Sequence, residues 1–190
     1  NENESILQTF DHILTNNHNE ILFEIIKINP GNFKYFQKTN NSNQSIYSYC
    51  VTNNFKEQIN LIIDSISIIN VKKLLFRHNA EEKNFSYWGA TIDDFYWACY
   101  HSNIKLIEFY LDNKIGKYDY EDSQGYTPLM YLSINKLENL AIKLFKTGLS
   151  SSTKLNTLNK SALHYSIANR LETLSNILYN ELEYIVKNKK

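Results

Sequence analysis

The feature that most constrains this chain is a recurrence. Laying "KSALHYSI" (160–167) over "YTPLMYLS" (126–133) sets Ser161 on Thr127 and Leu163 on Leu129. The same step backward brings Asp93, Phe95 and Ala98 under Thr127, Leu129 and Leu132. Ser45, Tyr47 and Cys50 fit the same pattern, set off from Asp93 by a longer interval. A fixed period of roughly 34 residues marks an array of supersecondary units, and it restricts the fold more than any composition figure does.

The chemistry at the aligned positions says what each unit is. Ser45, Asp93, Thr127 and Ser161 all carry side chains that accept a backbone N–H at a helix N-cap. Pro128 follows at the first helical position, where its missing N–H costs nothing. Apolar or small residues two and five positions after the cap give a short helix with one buried stripe. A second apolar set follows in each copy: Ile59, Ile62, Ile63; Leu106, Ile107, Tyr110, Leu111; Leu140, Ala141, Leu144, Phe145; Leu174, Leu178, Tyr179. This i, i+3, i+4 spacing predicts a second helix, so each unit reads as helix–turn–helix. Neither helix buries its face alone, so the units must stack.

The pattern resembles the ankyrin repeat, a unit of about 33 residues opening on Thr-Pro-Leu-His-x-Ala. "EDSQGYTPLMYLSINKLENLAIKLFKTG" (121–148) carries the Asp, the Gly-x-Thr-Pro-Leu run and the second helix, with Met130 in the histidine's place. "NKSALHYSIANRLETLSNILYN" (159–180) keeps His164 but has Ser-Ala for Thr-Pro. "DDFYWACYHSNIKLIEFYLDNK" (93–114) keeps Ala98, "QSIYSYCVTNNFKEQINLIID" (44–64) is fainter, and 10–32 resembles only a second half. The resemblance implies an all-α ankyrin-repeat α-solenoid of helix–turn–helix units with projecting hairpin-like turns. One domain, 1–190, would hold units 5–39, 40–87 with an insertion, 88–121, 122–155, and 156–190 with a C-terminal capping helix. The insertion, of about fourteen residues, falls within 64–91. There "INVKKLLFRHN" suits a helix and "AEEKNFSYWG" a loop, while "NNSNQS" reads as a solvated loop.

The resemblance also implies a partner protein bound along a concave face of turns and first helices. Carried over by position, the contacts are Ser123, Gln124, Tyr126, Ile134 and Asn135 in one unit. Thr157, Leu158, Lys160, Ala168 and Asn169 match them in the last, and Ile92, Tyr100 and His101 in the third. Tyr118 and Tyr120 alternate on the segment leading to Tyr126, and with Trp88, Trp97 and Tyr100 they give the face an aromatic character. Tyr and Trp offer large contact area at low entropic cost, although packing between helices is the competing use for a chain with 14 Tyr. His164 is implied to bond between repeats.

Other function classes lose support from the residues themselves. Twenty basic and twenty acidic side chains cancel, and only Arg77 and Arg170 are arginine, which argues against nucleic-acid reading. "EILFEIIKI" (20–28) is interrupted by Glu24 and Lys27, so no membrane insertion is expected. Two cysteines make no disulfide framework and fit a reducing compartment, cytoplasmic or nuclear, within a host cell if the source is a pathogen or virus. The scarcity of Gly, Pro and Arg beside abundant Asn, Ile, Lys and Tyr reads as AT-rich coding. Asn1 in place of Met leads to the expectation of a fragment or processed product.

No catalytic constellation assembles. Cys99 and His101 stand two apart on a helix and do not face each other. Cys50 and Cys99 occupy small-residue core positions, and they are also the nucleophiles a divergent enzyme on this array would use. His12, His18, His78, His101 and His164 show no metal-ligand spacing, and five Gly make no phosphate loop. The expectation is therefore a non-enzymatic, monomeric binding module without cofactor or metal. The alternative is the regulatory or targeting arm of an enzyme whose catalytic part lies elsewhere.

Overall fold

The computed structural model describes residues 12–13, 18–28, 46–68, 94–114 and 116–188, the side chains of 46–48 and 65–68 excepted. Among these residues there are nine α-helices and no strand. They are α1 (Asn19–Ile28), α2 (Ile46–Thr52), α3 (Lys56–Ile68), α4 (Asp94–Tyr100), α5 (Ile104–Asn113), α6 (Pro128–Ile134), α7 (Glu138–Phe145), α8 (Ala162–Ala168) and α9 (Glu172–Asn188). The caps expected at Ser45 and Asp93, the segment 69–91 with Trp88, and the contact residue Ile92 lie outside the described residues. The chain divides into two compact units, 1–94 and 95–190.

In the first unit α1 and α2 both pack on α3. Leu22 and Ile26 of α1 and Ile59, Ile62 and Ile63 of α3 are buried, one stripe per helix as the spacing requires. Phe55, ahead of α3, meets Phe23 edge-to-face at 4.9 Å, and the Tyr49 hydroxyl donates to Asn19 Oδ1 at 3.1 Å.

The second unit holds three helix pairs, α4/α5, α6/α7 and α8/α9. Its repetition is visible in individual hydrogen bonds. After each first helix the chain turns through one left-handed residue: Ser102 (φ 55), Lys136 (φ 58) and Arg170 (φ 58). The next N–H then reaches back to Ala98 O, Leu132 O or Ser166 O, at 2.9 Å each time. This six-to-one closure satisfies an orphan helix carbonyl and aims the second helix back along the first. Asn54 (φ 58) and the Phe55 N–H to Cys50 O bond repeat it in the first unit, as far ahead of Ser102 as Ser45 is of Asp93.

Successive copies pack on one another: α6 against α8, and α7 against both α5 and α9. Leu106, Ile107, Tyr110, Leu129, Leu132, Ala141, Leu144, Leu174 and Leu178 form the core between them. Fully burying one such Leu or Ile stabilises the fold by about 1.5–3 kcal/mol. Tyr179 departs from the expected core set: it is 58% exposed. Thr127 caps α6 by accepting from Met130 N at 3.3 Å, and Pro128 is buried at the helix start.

Two side-chain devices join the copies. Asn135 Nδ2 donates to Cys99 O at 2.9 Å, and Asn169 Nδ2 to Ser133 O at 3.1 Å, the same bond one copy later. Glu138, at the start of α7, accepts the Leu174 N–H of α9 at 3.0 Å.

Candidate partner-binding face

The loops before α6 and α8 form matching tight turns, each organised by one side chain. Asp122 Oδ1 accepts from Gln124 N at 2.9 Å and Tyr126 N at 2.8 Å; Asn156 Oδ1 accepts from Leu158 N and Lys160 N, both at 3.0 Å. Asp and Asn suit this place because a short carbonyl mimics the backbone of a turn. Gly125 (φ 77) and Asn159 (φ 54) supply the left-handed residue of each. The turns touch directly, Thr157 N donating to Gln124 O at 2.9 Å. A Cβ on Gly125 would stand 3.0 Å from Asn156 Cα, so the close approach needs glycine.

The second Asp122 oxygen faces the first helices. Oδ2 accepts the Tyr96 hydroxyl at 2.8 Å and the Tyr131 hydroxyl at 3.2 Å. One copy on, Asn156 Nδ2 donates to the Tyr165 hydroxyl at 2.7 Å, and that hydroxyl donates to Tyr126 at 3.3 Å. A continuous series of rings results. Trp97 lies edge-on to Tyr100 at 5.5 Å, Tyr100 to Tyr131 at 5.1 Å, Tyr131 stacks on Tyr126 at 5.3 Å, and Tyr126 is 6.0 Å from Tyr165. Tyr96 and Tyr120 join at 5.1 Å. His101 stacks on Trp97 at 5.8 Å. Offset and edge-to-face pairs of this kind contribute about 0.5–1.5 kcal/mol each beyond area burial.

Tyr100 is 45% exposed, while Trp97, Tyr120, Tyr126, Tyr131 and Tyr165 are half-buried. The rings thus pack on one another and still present surface. Lys117 and Lys160 sit over Tyr120 and Tyr165 at 5.9 and 6.0 Å. Lys154 neutralises Asp119 at 2.8 Å and also pairs with Glu121.

Of the contact residues carried over by position, Ser123, Gln124, Thr157, Leu158, Lys160 and Ala168 are exposed. Tyr100, His101, Tyr120 and Tyr126 belong to the aromatic series, and Ile134 is half-buried. Tyr118 is a correction. It is buried, edge-on to Phe95 at 4.8 Å with its hydroxyl donating to Tyr110 O at 3.0 Å, and so presents nothing outward. Asn135 and Asn169 spend their amide donors on the preceding copy. His164 bonds within its own turn rather than between repeats: the Ser161 N–H donates to its Nδ1 at 3.1 Å. That tautomer carries its proton on Nε2.

Four residues of the series were not among those expected: Tyr96, Tyr131, Tyr165 and their organiser Asp122. The signal was present. Tyr49, Trp97, Tyr131 and Tyr165 each stand four residues after a cap position, so one column of the repeat is aromatic throughout.

Proton chemistry has little purchase here. Burial, then the hydrogen bond to Tyr131, then that to Asp122 push Tyr96 well up from the ordinary tyrosine value, and the bond to Tyr165 pushes Tyr126 up to about 12. These hydroxyls stay protonated at neutral pH. Both cysteines are free and buried; burial pushes Cys50 up to about 12 and Cys99 well up, so neither supplies a thiolate near pH 7. Among the described residues no group of three or more His, Cys, Asp or Glu is placed to hold a metal ion, and no helix is long and apolar enough to cross a membrane.

Neither a family model nor a curated protein matches the sequence.

Proposed function

We propose that this chain is a divergent ankyrin-repeat array that binds a partner protein through the aromatic face formed by its turns and first helices. The observation that carries this reading is the ring series from Trp97 to Tyr165, held by the Asp122 and Asn156 turns, with Tyr100 of the series and Leu158 of the second turn exposed. Bonds that recur at the interval from Thr127 to Ser161, at 102/136/170, 122/156 and 135/169, support the array. Tyr and Trp dominate interface hot spots because they bring large area with few rotatable bonds. Here the hydroxyl network has already fixed the rings, so binding costs less ordering entropy. Two free, buried thiols support a reducing compartment, cytoplasmic or nuclear.

The test is affinity capture of the wild type and of Tyr100→Ser/Leu158→Ser, followed by titration calorimetry with whatever the wild type enriches. Both substituted side chains are exposed, but Tyr100→Ser also removes its ring pairs with Trp97 and Tyr131, at about 0.5–1.5 kcal/mol each, so helicity should hold, the melting midpoint should fall modestly, and affinity should fall at least tenfold. A variant that captures the same protein with unchanged affinity would remove the aromatic face from the account.

A further inference from the structure

Charge is unevenly satisfied on the turns and first helices of the second unit. Residues 116–136 and 150–170 carry five basic against three acidic side chains, whereas 137–149 and 171–188, the second helices, carry three against four. All three carboxylates are engaged: Asp119 and Glu121 on Lys154, and Asp122 by four donors. Lys117, Lys136, Lys160 and Arg170 are exposed, and among the described residues none of them forms an ion pair. The whole chain is neutral, so the surplus belongs to the turns and first helices in particular.

Two of these free cations stand at the rings themselves. Lys117 Nζ lies 5.9 Å from the Tyr120 centroid and Lys160 Nζ 6.0 Å from that of Tyr165, the outer limit of a cation–π contact. So loose a contact leaves the ammonium protons to a stronger acceptor, and a carboxylate makes charge-assisted bonds about twice as strong as neutral ones. Leu158 is exposed two residues before Lys160, and Tyr100 is exposed on the ring series. A lysine over a ring also occupies the place where a nucleic-acid base would stack, so Tyr120 and Tyr165 suit a carboxylate better than a base.

We propose that the partner segment this face takes is acidic, with Glu or Asp placed to meet Lys117 and Lys160 and aromatic or apolar side chains to meet Tyr100 and Leu158. The inference rests on the aromatic face as the binding site and adds the chemistry of its occupant. Opposite charge steers such a segment to the face and fixes its register, while the rings supply contact area. Added salt screens these exposed charges and weakens the association.

Fluorescence anisotropy of a dye-labelled random glutamate–tyrosine copolymer, titrated with the full chain, tests this. The copolymer should bind about tenfold more tightly than polyglutamate or a lysine–tyrosine copolymer, and should loosen as salt is added. Lys117→Glu with Lys160→Glu should weaken it by about tenfold or more. Lys146→Glu with Lys187→Glu, the same charge change at the ends of α7 and α9, should leave it within about twofold. Circular dichroism and melting serve as the folding control for both pairs. Equal binding of the lysine–tyrosine copolymer, or tighter binding of oligothymidylate, overturns the acidic partner. A glutamate–tyrosine copolymer that does not bind overturns it too, and leaves the face to the capture experiment. Loss of binding in Tyr100→Ser/Leu158→Ser with indifference to the lysine pair overturns the acidic partner and keeps the face. Sensitivity to the lysine pair with an indifferent Tyr100→Ser/Leu158→Ser overturns the face itself, and the proposal with it.

Discussion

Asp122 joins a backbone turn to two helices through one carboxylate, and removing it should cost far more than its half-buried position suggests. Two oxygens accept four hydrogen bonds: Gln124 N and Tyr126 N on one side, the Tyr96 and Tyr131 hydroxyls on the other. Bonds to a charged group contribute about 1.5–3 kcal/mol when buried, and less where water competes, so about 3 kcal/mol in all is reasonable for Asp122→Ala. In a unit of this size that lowers the melting midpoint by roughly 15 °C. Asp122→Asn should cost only about 1 kcal/mol, because losing the charge assistance still leaves an amide able to serve both sides. The molecule already contains that solution in Asn156, whose Oδ1 holds its turn while Nδ2 serves Tyr165. Urea unfolding followed by circular dichroism gives both values, and a cycle with Tyr96→Phe should return a coupling of about 1 kcal/mol. Three results refute the reasoning: an alanine cost under about 0.5 kcal/mol, an asparagine cost equal to that of alanine, or no coupling to Tyr96.

Further expectations concern the joints and the core. Gly125→Ala combines a left-handed φ of 77 with a backbone contact at 3.0 Å, and should destabilise by roughly 2 kcal/mol in the same urea experiment; an unchanged midpoint means that the turns separate freely. Asn135→Ala and Asn169→Ala should each cost about 1 kcal/mol, additively, since they sit on different copies; a cost at only one site breaks the equivalence of the two bonds. Burial pushes the Tyr118 hydroxyl from its ordinary 10 up to about 12. The neutral form binds its proton more tightly when folded, so its contribution is complete below pH 10 and is lost as pH rises to about 12. Tyr118→Phe should flatten stability across that window relative to the wild type.

The helices were legible because caps and apolar spacing are local: Thr127, Pro128 and Leu129 announce α6, and Leu140, Ala141 and Leu144 fix its partner. The aromatic face was harder for a physical reason. A tyrosine serves core and surface with the same atoms, and only three-dimensional placement separates Tyr118, sealed against Phe95, from Tyr100 a helix away. Asp122 could be read as a turn residue, but its bonds to Tyr96 and Tyr131 span 26 and 9 residues, and no local pattern encodes them. Asn135 and Asn169 looked like contact residues because the same half-exposed position suits either a partner or the preceding copy. Tyr179 fits the helical period yet faces water, at the edge of the stripe that Leu174 and Leu178 bury.

The asparagine joints have a consequence for how such a chain changes over generations. Asn135 and Asn169 each address a backbone carbonyl, a group every residue type provides, and each donor travels within its own segment. A duplicated, deleted or exchanged segment of one period therefore arrives with its half of the joint and finds the other half waiting, whatever side chains the neighbour carries. Recombination of the two segments that carry Asn135 and Asn169 can therefore change length and order while the seam stays bonded.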